Sequence, residues 1–215
     1  MAATTLQLQT SVEYFESIYA EAHGDASRIR WADQRPNPAL VTWLNAVAPS
    51  LVRCGSRVCC VGCGLGDDAR ELMRRGYDVT AFDCSETAVE WARSIDADNA
   101  RCYVHADLFH APIRWRHRFD LVVEVNTIQS LTPDLHLAAI SAISDLVSPK
   151  GHLLVVCRGT ESPVRPEDGP PWPLTQHQLT EAAAMASLRA VDPITVFMDD
   201  EEPPVLRMRG LFKRC

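Results

Sequence analysis

The stretch "RVCCVGCGLGDDARELMRRGYDVTAFD" (residues 57–83) decides the fold. A short apolar run, "RVCCV" (57–61), ends on glycines at 62, 64 and 66. A helical pattern, "DARELMRRG" (68–76), follows, with Gly76 as its stop signal. A second apolar run, "DVTAFD" (78–83), comes next. Strand, glycine turn, helix and strand in that order describe one unit of a parallel sheet.

The same loop admits three chemical readings. Cys60 and Cys63 form a C-x-x-C with Cys54 and Cys59 nearby, but no later C-x-x-C or paired histidines complete a zinc site. Nor does this C-x-x-C open a helix, as a thiol–disulfide motif would, because Gly64 and Gly66 intervene. The plainer reading is that Cys59 and Cys60 are small buried hydrophobes. A dinucleotide loop needs G-x-G-x-x-G, whereas this chain has G-x-G-x-G. It also places Asp67 and Asp68 where a pyrophosphate would meet the helix N-terminus, so these acids are expected to cap the helix themselves. The third reading is a loop that lets a phosphate-free ligand chain lie against bare backbone. Asp83, 21 positions after Gly62, can accept from both ribose hydroxyls, and Asp107 at the end of "VHAD" can accept from an adenine amino group. S-adenosylmethionine has that shape and charge.

The remainder of the chain extends the alternation. "RCYVHAD" (101–107) and "FDLVVEV" (119–125) read as the third and fourth strands. "TPDLHLAAISAISDLV" (132–147) reads as a helix with Thr132 as N-cap and Pro133 at its first position. Pro149-Lys150-Gly151 turns the chain into a fifth strand, "HLLVVC" (152–157). Ser85 is the expected cap of the helix over 85–94. Thr175 and Gln178 form a capping box for a helix running to about residue 187. "DPITVFM" and "PVLRMRGLFKR", joined by "DDEEPP", predict an antiparallel hairpin over 188–215. Residues 12–50 read as a helical N-terminal cover over the sheet, with a helix from Pro38. Residues 159–173 hold five of the 14 prolines and read as an irregular loop on the ligand edge.

The expected fold is a single α/β domain over residues 1–215, doubly wound around a mostly parallel seven-stranded sheet with an antiparallel last strand. Its length suits one core. A net charge of −7 and the absence of basic runs disfavour nucleic acid as a partner. No apolar stretch approaches the ~18–20 residues of a membrane span. No secretory signal is visible in the first residues, so the eight cysteines read as reduced thiols in a cytoplasmic protein. The oligomeric state is left open, with the monomer favoured.

The segment "VCCVGCGLGDDARELMRRGYDVTAFDCSETAVEWAR", with "HADLF", "FDLVVEVNTIQSL" and "SPKGHLLVV", resembles the cofactor-binding core of class I S-adenosylmethionine-dependent methyltransferases, over roughly residues 55–157. The likeness is greatest to the small bacterial branch of thiopurine and tellurite-resistance methyltransferases. It implies a Rossmann-like fold in which Gly62, Cys63, Gly64 and Gly66 cradle the methionine portion and Asp83 holds the ribose. Cys84 and Leu108 would sandwich the adenine, with Asp107 at its edge. The chain departs from the family at Cys60, where an acid often helps hold the methionine end.

Methyl transfer from a sulfonium needs alignment and exclusion of water, and a base only where the acceptor must lose a proton. Candidates at the ends of strands four and five are Glu124, Asn126, Gln129 and Arg158. Glu124 is a candidate base or ammonium ligand, Asn126 and Gln129 candidate orienting groups, and Arg158 a partner for an anionic substrate. The plain reading of Glu124 is a solvated strand-end residue, that of Asn126 and Gln129 groups satisfying local backbone, and that of Arg158 a surface ion pair. Trp31 and Trp172 lie on the covering segments and are candidate pocket walls. His105, Asp107 and His110 lack a fixed third ligand, so no metal is expected. "EVNTIQ" lacks the N/D-P-P-Y/F arrangement associated with nucleobase methylation, which leaves a small-molecule acceptor. Two other functions use the same loop: an NAD(P)-dependent oxidoreductase and a non-catalytic S-adenosylmethionine-binding protein.

Overall fold

The computed structural model describes the backbone of residues 5–215 and the side chains of residues 11–215. The chain divides into two compact units, meeting in sequence at Ile113 and Arg114.

The first unit carries three parallel strands. β1 (Arg57–Val61) pairs with β2 (Asp78–Asp83) from Arg57 opposite Asp78 to Val61 opposite Phe82. β2 in turn pairs with β3 (Tyr103–His105), so that Asp83 and His105 stand level at the strand ends. The third strand is shorter than the expected 101–107. Arg101 and Cys102 belong to a 3-10 segment, and Asp107 accepts from the Phe109 N–H to start another. The first helix of the glycine unit, Asp67–Arg74, stops where Gly76 adopts φ +83°. The next, Glu86–Ile95, is capped by Ser85 Oγ, which accepts from the Ala88 N–H at 3.0 Å.

The N-terminal cover begins earlier than expected, with α1 (Thr5–Ala22). α2 (Pro38–Ala46) starts at Pro38 as expected, capped by the Asn37 side chain, and α3 (Ala48–Leu51) follows. The segment "RIRWADQRPNP" is not helical beyond one 3-10 turn at Ala26–Arg28; positive φ at Gln34 and the Pro36 and Pro38 flanks break it. The glycine-unit helix Asp67–Arg74 is α4, and Glu86–Ile95 is α5. α1 packs on α5, and Tyr19, Ala22 and Ala88 share one buried cluster with Ile29 and the glycine-loop Leu65, all nearly inaccessible to water.

In the second unit β4 (Phe119–Val125) pairs in parallel with β5 (Val147–Arg158). Pro149-Lys150-Gly151 lies inside β5 as a bulge, with Lys150 at φ +69° and the register slipping between Phe119 and Leu121. α6 (His136–Leu146) is preceded by a 3-10 turn at Pro133–Leu135, and Thr132 makes no side-chain cap. α7 (Gln176–Met185) has the expected reciprocal box: Thr175 Oγ1 accepts from Gln178 N–H, and Gln178 Oε1 from Thr175 N–H. Eight strands form among the described residues where seven were expected. The additional one is β6 (Leu188–Ala190), which pairs with the far end of β8 (Leu206–Arg214). β7 (Thr195–Met198) and β8 form the expected hairpin, and β8 also runs antiparallel to β5. Among the described residues no helix is long and apolar enough to cross a membrane.

Candidate functional site

The glycine loop owes its shape to three residues in the left-handed region: Gly62 (φ +58°), Gly64 (+50°) and Gly66 (+84°). A Cβ on Gly66 would come within 2.6 Å of the buried Tyr103 ring, and one on Gly64 within 2.8 Å of the Tyr19 hydroxyl. Backbone bonds fix the loop to β2: the Cys63 N–H donates to the Phe82 carbonyl at 2.9 Å, and the Gly66 N–H to the Cys63 carbonyl at 2.8 Å.

Asp83 ties the two strand ends together. Its Oδ2 accepts from the Gly64 N–H at 2.8 Å and its Oδ1 from the Ser85 N–H at 3.0 Å. Burial raises its pKa, and the backbone donors counter only part of that rise. The Cys84 N–H and thiol also bond to this carboxylate. A desolvated carboxylate held at a strand end beside bare backbone suits a vicinal diol.

Of the other residues read as cofactor contacts, Cys84 is half-buried and its thiol is pushed up by burial and by Asp83, so it stays neutral. Leu108 is buried. Asp107 Oδ1 accepts from the Phe109 N–H at 3.0 Å, and its Oδ2 meets His110 Nδ1 at 2.5 Å. His105 Nε2 lies 3.1 Å from the Cys84 carbonyl. Cys59 and Cys60 are buried thiols whose pKa values rise with desolvation. Among the described residues no three His, Cys, Asp or Glu side chains are grouped to hold a metal ion.

Asp67 and Asp68 were expected to cap α4 themselves. Instead, Gly66 is the N-cap without a side-chain bond, Asp67 pairs with Arg70, and Asp68 accepts from the Asn37 N–H at 2.7 Å. Burial pushes the Asp68 carboxyl up to about 6.

Two residues over this loop escaped the sequence reading. Tyr19 is buried against Gly64, its hydroxyl accepting from Trp31 Nε1 at 2.9 Å. Glu16 fastens α1 to the start of α5: Oε2 accepts from Ser85 Oγ at 2.7 Å and the Thr87 N–H at 3.2 Å, and Oε1 from Thr87 Oγ1. Burial raises its pKa, but the bonds from Thr87 and Ser85 outweigh that and leave it below the usual range. Glu16 and Ser85 are 69 positions apart, so no local pattern announces the contact. Trp31, read as a pocket wall, stacks edge-on with Tyr19 and Phe15 and is itself largely exposed.

The second unit gathers all four candidate catalytic residues at the carboxyl ends of β4 and β5. Glu124 is completely buried; its Oε1 accepts from the Thr127 and Ile128 N–H groups at 2.6 and 3.0 Å, and its Oε2 has no hydrogen-bond partner. Burial outweighs those two bonds and pushes the carboxyl up to about 7. Asn126 sits at φ +64°, its Oδ1 accepting from Arg207 Nη1 at 3.1 Å. Gln129 is buried, with its amide oxygen committed to the Arg158 N–H and its carbonyl to the Trp172 N–H. Trp172 donates its indole N–H to the Pro166 carbonyl at 2.8 Å. Arg207, absent from the sequence reading, is buried and held by Asp199 (2.6 Å), Glu201 and Asn126.

The methyltransferase-domain family matches residues 58–151. The ubiquinone biosynthesis O-methyltransferase of Alkalilimnicola ehrlichii is 29% identical over 140 residues, covering 60% of this chain and 55% of the relative. The chain thus spans about half the length of that relative. Among solved structures, the 1,6-didemethyltoxoflavin-N1-methyltransferase of Burkholderia thailandensis, bound to 1,6-didemethyltoxoflavin and S-adenosylhomocysteine, superposes with a TM-score of 0.76. It is 19% identical, with 100% of this chain and 92% of that one covered. The magnesium protoporphyrin IX methyltransferase of Synechocystis PCC 6803, bound to S-adenosylmethionine, gives 0.72 at 16% identity, with both chains covered in full. The fold of these enzymes extends over the whole chain.

Proposed function

We propose, from the premise that residues 58–151 are a class I methyltransferase domain, that this chain transfers a methyl group from S-adenosylmethionine to a small-molecule acceptor. The observation that carries the reading is Asp83: a buried carboxylate pinned by the Gly64 and Ser85 N–H groups beside a loop of three left-handed glycines. That arrangement suits a ribose diol while the backbone of residues 62–66 accommodates a phosphate-free tail. Asp67 and Asp68 speak against a diphosphate there, and hence against a nicotinamide cofactor. The solved structures of this fold that hold S-adenosylmethionine or S-adenosylhomocysteine support the same choice.

The family match runs across residues 113 and 114, which supports treating residues 1–215 as one functional domain. Glu124, Asn126, Gln129 and Arg158 are proposed to face the acceptor, with the cofactor supplying the electrophilic methyl group. The net charge of −7 and the eight unpaired cysteines support a small-molecule partner and a reducing, cytoplasmic setting.

Calorimetric titration with S-adenosylmethionine, S-adenosylhomocysteine and NADH tests the reading. Micromolar binding of the first two is expected, weakened at least ~100-fold in Asp83→Ala, since two charge-assisted hydrogen bonds are lost. Binding of NADH alone would overturn it. Binding of S-adenosylmethionine without turnover against a broad acceptor panel would establish the non-catalytic alternative.

A further inference from the structure

The antiparallel register of β5 and β8 places Arg158 directly opposite Arg207. Like charges in that position repel, so the pair needs a shared counter-ion. Glu201 supplies it, touching Arg207 Nη2 with one oxygen and Arg158 Nη2 with the other.

The two arginines are otherwise unlike. Arg207 is buried and fixed by three partners, with Asp199 and Asn126 besides Glu201. Arg158 is about a third exposed, and its contact to Glu201 is 3.4 Å long, well beyond the roughly 2.7–2.9 Å of a charge-assisted bond. Only its backbone is tightly held, by Gln129. Its guanidinium fork is therefore rigidly mounted and poorly used. Glu201 sits on the half-exposed tip "DDEEPP" between β7 and β8, where a solvated ion pair is worth only about 0–1 kcal/mol. A ligand carboxylate that met the Arg158 fork with two parallel bonds would displace Glu201 from Arg158 at little cost, provided it also replaces Glu201 as the partner of the buried Arg207.

We infer that Arg158 and Arg207 form an anion seat for which Glu201 is the internal stand-in, and that the acceptor of this chain is a small molecule bearing a carboxylate. This inference rests on the methyl-transfer reading for the word acceptor, and on the second unit alone for the seat. Arg158 is then the residue that contacts the substrate, and Arg207 positions the seat. Asp199 stays with Arg207, whereas Glu201, with the exposed Asp200 and Glu202 beside it, must swing aside when the anion enters.

The test is calorimetric titration of the full chain, with and without S-adenosylhomocysteine, using aromatic and aliphatic monocarboxylates and their primary amides as uncharged matches. The acids are expected to bind at least tenfold more tightly than the amides. Arg158→Gln should erase that preference, and Glu201→Gln, on the exposed tip, should tighten the acids severalfold by removing the competing carboxylate. Equal binding of acids and amides, no binding of any acid, or weaker acid binding in Glu201→Gln would overturn the seat. Retained S-adenosylhomocysteine binding with no preference for acids sinks the seat alone. A preference for acids without S-adenosylhomocysteine binding leaves the seat standing and sinks the methyl-transfer reading.

Discussion

The strand ends of the first unit and those of the second are built by different means. At the glycine loop the work is done by backbone: three positive φ angles and N–H groups converging on one carboxylate. At the ends of β4, β5 and β8 it is done by side chains distant in sequence: Asn126 to Arg207 across 81 positions, and Arg158 to Glu201 across 43. Backbone geometry leaves a local signature in glycines and their spacing. A side-chain network leaves none, because each member is an ordinary residue until its partner is known.

The largest effect that would sharpen this contrast concerns Glu124, where a side chain rather than backbone carries the strain. Its carboxyl titrates near 7 in the folded protein against about 4.5 in the unfolded chain. The folded state therefore holds an extra proton between those values, so stability falls as pH rises from about 4.5 through 7. The nominal loss above pH 7 is about 3 kcal/mol, an order-of-magnitude figure. Glu124→Gln keeps an oxygen for the Thr127 and Ile128 N–H groups and removes the titration. Its melting temperature should exceed that of the parent at pH 8 and match it near pH 5. A parent whose stability is flat between pH 5 and 8 would show that Glu124 finds water or a cation in solution.

A smaller effect is expected where backbone dominates. Gly66→Ala puts a Cβ at φ +84° and 2.6 Å from a fully buried tyrosine ring, and should cost about 2 kcal/mol in chemical denaturation. An unchanged midpoint would mean the loop can relax, and the contrast between the two ends would lose its basis. The smallest effect is at the side-chain tie between α1 and the start of α5 in the first unit. Glu16→Ala should lower stability by about 1 kcal/mol, because the bonds lost are partly exposed. Hydrogen exchange should then quicken in α1 before it does in β1. Uniform quickening would show that α1 unfolds only with the rest.

This division also explains what could be read in advance. The strand–glycine–helix unit, the Ser85 cap, the Thr175–Gln178 box and the terminal hairpin are each set within a few residues, and each was legible. Thr132 satisfies every local rule for an N-cap yet makes no cap, because Pro133–Leu135 winds as a 3-10 turn ahead of α6. β6 is three residues long and exists only because β8 offers it an edge. Asp67 and Asp68 were drawn to Arg70 and to the Asn37 backbone, the second contact 31 positions away. Of the site, Asp83 and the glycines followed from spacing. Tyr19, Glu16 and Arg207 depended on contacts between distant segments, and no pattern pointed to them.

Tyr19 has a consequence for timing. Its hydroxyl fills the space that Gly64 keeps free, and Glu16 fastens the same helix to α5. On the proposed reading, a ligand lying along the glycine loop would have to displace Tyr19, and with it α1, on its way in and out. Association should then be slower than an open cleft permits and should saturate with ligand concentration at the rate of helix opening. If the chain turns over as proposed, the same step would bound its rate, since spent ligand would wait on that movement however fast the bond-making is. The hinge of the clock, on this view, is a hydrogen-bonded glutamate that touches no reacting atom.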